Sequence, residues 1–135
     1  EIRGKKVMIM DDSIVRGNTS REIVRMLKDF GAKEVYFTVA CPPVKSPCFY
    51  GVDMPTKDEL IAGNMTEDEI QDYLKVDALL YQKIDGLVEA VTRKGDHHID
   101  TPCMACLDGN YVANDIDDAK IAEMETMRVN DRNGK

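Results

Sequence analysis

The sequence lacks any run of about 18 consecutive apolar residues, the length that a membrane-spanning helix needs. It also lacks a secretory signal pattern at its start, where residues 1–7 read EIRGKKV. We therefore expect a cytoplasmic protein without a membrane partner. An initiator methionine is absent as well, and the polar residues before the first apolar run lead us to expect a segment cut from a longer polypeptide.

Basic residues are outnumbered by acidic ones, 18 against 25, which gives a formal net charge of −7. Nucleic acids and anionic membrane surfaces are bound by clustered Lys and Arg that displace counterions. This balance argues against a nucleic-acid partner, and any polyanionic ligand must be held by local groups. With 135 residues, 43% of them apolar, the chain is long enough for a globular core.

Apolar runs of strand length alternate with amphipathic stretches of helix length, a pattern typical of an α/β fold. KKVMIMD (5–11) reads as a strand buried on both faces. The second and third strands are EVYFTVAC (34–41) and DALLYQ (77–82). Between the first two strands, one apolar helical stripe predicts a helix that Gly31 ends.

Two threonines in the middle of the chain predict short helices. Thr56 with Glu59, and Thr66 with Glu69, have the spacing of a capping box, in which the two side chains satisfy each other's backbone amides. A further helix is predicted to open at Asp85.

The end of the chain is more polar and contains a cysteine pair. A last amphipathic helix is predicted over about residues 117–127. We therefore divide the sequence into an α/β portion, residues 1–95, and a cysteine-containing tail with a helix, residues 96–135.

Two adjacent acids, Asp11 and Asp12, end the first predicted strand. The carboxyl ends of parallel strands form the sheet edge where ligands bind. One acid would suffice to cap the following helix, so the pair indicates a site. Two carboxylates suit sugar hydroxyls or a hard divalent cation such as Mg²⁺.

The loop SIVRGNTS (13–20) follows the acids and leads into a helix. Gly17 lets the backbone approach a ligand closely, and the amides of residues 15–20 lie where a helix N-terminus presents unpaired donors. Thr19 and Ser20 add hydroxyl donors. Such a loop binds phosphate, so the ligand predicted for loop and acids together is a phosphorylated sugar.

VMIMDDSIVRGNTS (7–20) resembles the phosphoribosyl pyrophosphate (PRPP) signature of type I phosphoribosyltransferases. FYGVDMPT (49–56), ELIA (59–62) and DALLYQ narrow the resemblance to the glutamine PRPP amidotransferases, over nearly the whole chain. It implies part of a type I phosphoribosyltransferase fold, a Rossmann-like parallel sheet with flanking helices, and a C-terminal helical tail.

By this resemblance, the acidic pair binds the ribose hydroxyls and the Mg²⁺ complex, and the loop binds the 5-phosphate. Asn18 stands where Thr is more usual in the family. No catalytic nucleophile is implied, because ammonia displaces pyrophosphate at the anomeric carbon and catalysis is chiefly positioning and charge stabilisation. The implied substrate-binding residues are Asp11, Asp12, Ser13, Val15, Arg16, Gly17, Asn18, Thr19 and Ser20.

The family's full chain also has an N-terminal glutaminase domain, which supplies the ammonia. That domain and the flexible loop that closes over the substrate have no counterpart in this sequence. The resemblance implies the first committed step of de novo purine biosynthesis and a homo-oligomer. We expect the chain by itself to be inactive.

Two other classes of protein also fit parts of the sequence. A response-regulator receiver domain also ends its first strand in an acidic pair, and DMP around Asp53 resembles the segment of its phosphoacceptor. The prolines before Asp53 disfavour the strand that a receiver has there, and RGNTS has no role in one. A non-catalytic module that keeps only the phosphoribosyl pocket also fits the residues.

Cys103 and Cys106 are separated by two residues, so they can bind one metal from a single turn, and Cys48 can join them from a distant loop. Thiolates select iron-sulfur clusters or zinc. The family resemblance implies a 4Fe-4S cluster on these three cysteines, with its fourth ligand upstream of this chain. Cys41, before two prolines, is expected to be an ordinary apolar cysteine.

A histidine pair near the tail cysteines offers another metal. His97 and His98 precede Cys103 by only a few residues. A zinc site that uses one of them is therefore an alternative.

Overall fold

Three parallel strands form the sheet of the computed structural model, which describes residues 1–93, 99–113, 116–132 and 134. The strands are β1 (Lys6–Asp11), β2 (Glu34–Val39) and β3 (Ala78–Tyr81), in that spatial order. In register, Met8 lies opposite Tyr36, and Tyr36 lies opposite Ala78. The predicted α/β class and all three predicted strands are confirmed.

Six α-helices and one 3-10 turn lie in the described residues. The elements are α1 (Asn18–Asp29), the 3-10 turn (Lys57–Glu59), α2 (Ile61–Asn64), α3 (Glu67–Leu74), α4 (Ile84–Thr92), α5 (Ala105–Asp108) and α6 (Asp118–Arg132). Both predicted capping boxes are present, at the 3-10 turn and at α3. The sequence did not predict α2 and α5, because each has four residues, too few to show a periodicity.

Helix α1 ends as predicted. Gly31 has φ +87°, and its N–H donates to Lys28 O at 2.9 Å, while the Ala32 N–H donates to Leu27 O at 3.0 Å. This is a Schellman motif, in which a residue with positive φ satisfies the last helical carbonyls. The last helix, by contrast, extends to Arg132 rather than ending near residue 127.

The main core lies between one face of the sheet and helices α1 and α3. Full burial of each large apolar side chain there contributes about 1.5–3 kcal/mol. The members with at most 1% exposure are Val24, Val35, Phe37, Ile70 and Leu74.

The other face of the sheet is open, so the prediction that β1 is buried on both faces is wrong. Met8 and Met10 are 66% and 76% exposed, and Leu80 on β3 is 55% exposed on the same side. Ile9 points the other way and packs on the core. Within the described residues, helices cover only one side of the sheet, which the apolar run of β1 alone does not reveal.

A second apolar cluster joins the tail to the loop after β2. Its buried members are Val44, Leu60 and Leu107. The amides of Lys45 and Ser46 both donate to Cys106 O, at 2.9 and 3.0 Å. The proposed boundary at residue 95 falls in the undescribed segment 94–98 and stays a prediction. In the described part of the chain, no helix has both the length and the apolar character to cross a membrane.

Candidate functional site: the loop between β1 and α1

The acidic pair lies at the carboxyl end of β1. The carbonyls of Asp11 and Asp12 accept hydrogen bonds from the amides of Ala40 and Cys41, both at 3.0 Å, which fixes the pair against the end of β2. Asp11 Oδ1 accepts the Asp12 N–H at 3.0 Å, and Asp12 Oδ1 accepts the Ser13 N–H at 2.7 Å. Within the described residues, the Oδ2 atom of each carboxylate accepts no hydrogen bond. Each acid therefore keeps one oxygen for a ligand.

The predicted binding residues surround one cavity of about 480 Å³. Because they are neighbours in sequence, a single strand-loop-helix connection suffices to gather them. What binds in the cavity stays a prediction. Its lining consists of Asp11, Asp12, Ser13, Val15, Arg16, Gly17, Asn18, Thr19 and Ser20.

The N-terminus of α1 faces this cavity. Gly17 is the N-cap residue, and it has no side chain that could cap the helix. The first N–H groups of a helix have no carbonyl partner within it, and the helix dipole adds positive potential there. Thr19 is exposed and Ser20 is buried. The cavity therefore combines carboxylates at one side with amide and hydroxyl donors at the other.

Gly17 has a packing role that sequence reasoning missed. Its φ is +78°, and a Cβ atom there would lie 2.7 Å from Ile61 Cδ1 and 3.2 Å from Tyr73 Cε1. The loop is thus pressed against side chains of α2 and α3. Glycine is needed for this contact, because an added Cβ atom would displace Ile61 or Tyr73 and the new residue would have to adopt a left-handed φ.

Arg16, at the rim of the cavity, is paired with Glu59. Its Nε and Nη2 donate to Glu59 Oε1 at 3.0 and 2.8 Å. The Arg16 hydrogen bonds, with those from Thr56, lower the pKa of Glu59 to about 2. The capping-box spacing located Glu59 correctly, but no sequence signal relates it to an arginine 43 residues away.

Cys106 is joined to the segment just before Cys48, because its carbonyl accepts the amides of Lys45 and Ser46 at 2.9 and 3.0 Å. Burial raises the pKa of the Cys106 thiol, and the charges of Cys41, Cys48 and Cys103 raise it further. Among the described residues, however, no three His, Cys, Asp or Glu side chains are arranged to hold a metal ion. The iron-sulfur assignment therefore stays a prediction.

Two further predictions concern the same region. Cys41 packs against the second apolar cluster. Its pKa is raised mainly by burial and to a smaller extent by the charge of Asp12. This environment agrees with an apolar cysteine. His97 and His98 lie outside the described residues, so the zinc alternative is untested.

No protein-family model matches the chain. The amidophosphoribosyltransferase of Methanocaldococcus jannaschii is 50% identical over 110 residues, which are 82% of this chain and 22% of that protein. The solved glutamine PRPP amidotransferase from B. subtilis, complexed with ADP and GMP, matches with a TM-score of 0.76 and 42% identity over 87% of this chain. The chain belongs to the amidophosphoribosyltransferase family.

A solved structure described as the allosteric regulatory enzyme of purine biosynthesis matches too, with a TM-score of 0.77 and 40% identity over 92% of this chain. The chain spans only about a quarter of the proteins that it matches: 22% of the M. jannaschii protein, and 26% and 27% of the two solved chains. The fold is thus part of a type I phosphoribosyltransferase fold, a parallel sheet with flanking helices.

In the part of the chain that the structure describes, nothing favours the receiver-domain alternative. The stretch from residue 41 to residue 56, which contains Asp53, holds neither a strand nor a helix. A receiver places its phosphoacceptor after a buried strand.

Proposed function

We propose that the chain forms the PRPP-binding part of a phosphoribosyltransferase that makes 5-phosphoribosylamine from PRPP and glutamine-derived ammonia. This is the first committed step of de novo purine biosynthesis. The observation that carries the proposal is the cavity between the acidic pair and the start of α1. Carboxylate acceptors and amide donors at its two ends complement the hydroxyls and the phosphate of a phosphorylated sugar.

In the proposed reaction, the nitrogen of ammonia bonds to the anomeric carbon while the bond from that carbon to pyrophosphate breaks. The surplus proton of ammonia passes to solvent or to the leaving pyrophosphate. Asp11 and Asp12 hold the ribose hydroxyls, and the amides of residues 18–20 hold the 5-phosphate. The chain therefore contributes orientation and charge complementarity, with no covalent intermediate.

Asp11 and Asp12 would also hold Mg²⁺, because each keeps one carboxylate oxygen to which no described residue donates, and hard cations prefer carboxylate oxygens. The cation would neutralise charge on the pyrophosphate group. Ribose hydroxyls and the cation therefore use the same two side chains in this proposal.

Cys48, Cys103 and Cys106 are proposed to bind a 4Fe-4S cluster whose fourth ligand lies elsewhere in the polypeptide. Contacts between the tail and the loop after β2, which contains Cys48, support a structural role for such a cluster. The Tyr111 hydroxyl donates to Pro47 O at 2.8 Å, and Arg128 donates to Cys48 O. A cluster would reinforce this junction.

The matched relatives are much longer than this chain, so a full-length polypeptide of their size would contain further domains. We propose a glutaminase domain in the same polypeptide as the source of ammonia, and a cytoplasmic homo-oligomer as the working form. The chain by itself is expected to show no turnover.

The test uses the longer polypeptide with ammonia as the nitrogen donor. Asp12→Asn should lower kcat/KM for PRPP by at least about 100-fold, because it removes charge with little change of volume. Asp29→Asn, an exposed acid paired with Arg25 at 3.5 Å, is the matched control and should leave the kinetics unchanged. Normal kinetics for Asp12→Asn would refute the assigned role.

A further inference from the structure

The loop that lines the cavity is held from outside by a second segment of the chain. The Ile61 N–H donates to Val15 O at 2.9 Å, and Ile61 also packs against Gly17. Gly17, the N-cap residue of α1, has no side chain that could cap the helix. The loop's conformation therefore depends on residues that follow it by more than forty positions.

Glu59 belongs to this second segment, and it contacts both Thr56 in the same segment and Arg16 in the loop. Its Oε2 accepts the Thr56 N–H and the Thr56 hydroxyl, both at 3.0 Å. Its Oε1 accepts the two Arg16 donors described above. The capping box fixes the carboxylate, and the carboxylate fixes the guanidinium. Glu59 itself does not line the cavity.

We propose that Glu59 is a positioning residue of the phosphate-binding loop, acting through Arg16. This inference rests on the proposed function of the loop. A loop that is already ordered loses less conformational freedom when a ligand binds. Loss of the Arg16–Glu59 pair should therefore weaken binding although no group that touches the ligand is removed.

Glu59→Gln tests this, because Gln can replace Glu in a capping box but carries no charge. The dissociation constant of the chain for ribose 5-phosphate, measured by calorimetry, should rise about 3- to 10-fold. Loss of a negative charge near an anion would by itself tighten binding. A rise in the dissociation constant therefore indicates loss of positioning, whereas a fall indicates only the removal of a repulsive charge.

The chain offers two matched controls. Glu22→Gln removes a pair with the same donor distances, Arg25 Nε and Nη2 at 3.0 and 2.8 Å, on the exposed side of α1. Glu69→Gln alters the other capping box, at α3. Both should leave the dissociation constant unchanged, with the thermal unfolding of every variant recorded alongside.

A double-mutant cycle completes the experiment. Arg16→Met should weaken binding, and Glu59→Gln added to it should cause no further loss. The inference would be overturned if Glu59→Gln left the dissociation constant unchanged or lowered it. It would also be overturned if Glu59→Gln weakened binding as much in the Arg16→Met background as in the unaltered chain; neither result would contradict the proposed function. Failure of the unaltered chain to bind ribose 5-phosphate would instead contradict the proposed function, and the inference with it.

Discussion

The Tyr73 hydroxyl donates a hydrogen bond to Asn18 Oδ1 at 3.1 Å, which links α3 to the first residue of α1. The Arg21 guanidinium lies over the Tyr73 ring, 4.7 Å from its centre. The side-chain amide of Asn18 thus gives the N-terminus of α1 an anchor on a helix 55 residues further along the chain.

Tyr73→Phe removes this hydrogen bond and keeps the ring. The free energy of unfolding should fall by about 0.5–1.5 kcal/mol in urea titrations. Asn18→Ala should cost a similar amount, and the two losses should not add in the double variant. Additive losses would show that the hydrogen bond does not stabilise the chain.

Gly17→Ala should destabilise the chain through both backbone and packing. A non-glycine residue with left-handed φ costs about 1–2 kcal/mol, and the contact with Ile61 adds about 1–3 kcal/mol. Gly4→Ala is the control, since Gly4 has φ +73° with nothing within 4 Å of the added Cβ. Equal losses of unfolding free energy for the two variants would contradict the tight contact at Gly17. Binding data on a Gly17 variant therefore need a stability measurement beside them.

The Arg16–Glu59 pair predicts a pH dependence of stability. The pKa of Glu59 is about 2 in the folded chain against an ordinary value of 4.5. A lowered pKa stabilises the fold above pH 4.5, and this stabilisation is lost as the pH falls from 4.5 to about 2. The pair is exposed, so Glu59→Gln should cost about 0.5–1 kcal/mol at pH 7. Unfolding measured at pH 7 and pH 3 should show this difference shrinking, and a constant difference would argue against the ion pair.

The cysteine assignment predicts a pattern of iron content. After anaerobic reconstitution of the longer polypeptide, Cys48→Ser, Cys103→Ser and Cys106→Ser should each lose most of their iron and sulfide, because thiolates are the ligands of such clusters. Cys41→Ser should keep both. Loss of iron only in Cys41→Ser, or full iron in Cys48→Ser, would overturn the assignment.

The sequence predicted those features that depend only on residues close together in the chain. The capping boxes at Thr56 and Thr66 and the cavity lining could be read from adjacent residues. The contacts of Glu59 and Tyr73 with the loop could not, because they join residues 43 and 55 positions apart and follow no periodicity. The exposed face of β1 was misjudged for a related reason. An apolar run reports how apolar a strand is, but not whether the same chain covers it.

Binding of a sugar phosphate at the start of α1 is the central claim, and backbone amide shifts test it most directly. A ¹⁵N-labelled chain titrated with ribose 5-phosphate should show its largest shift changes at the amides of residues 15–20, with smaller changes at the acidic pair. The amides of Glu22 and Asp29, further along α1, should stay unchanged and serve as internal controls. Absence of shift changes at residues 15–20, or changes confined to another part of the chain, would contradict the assignment of this cavity to a phosphorylated sugar.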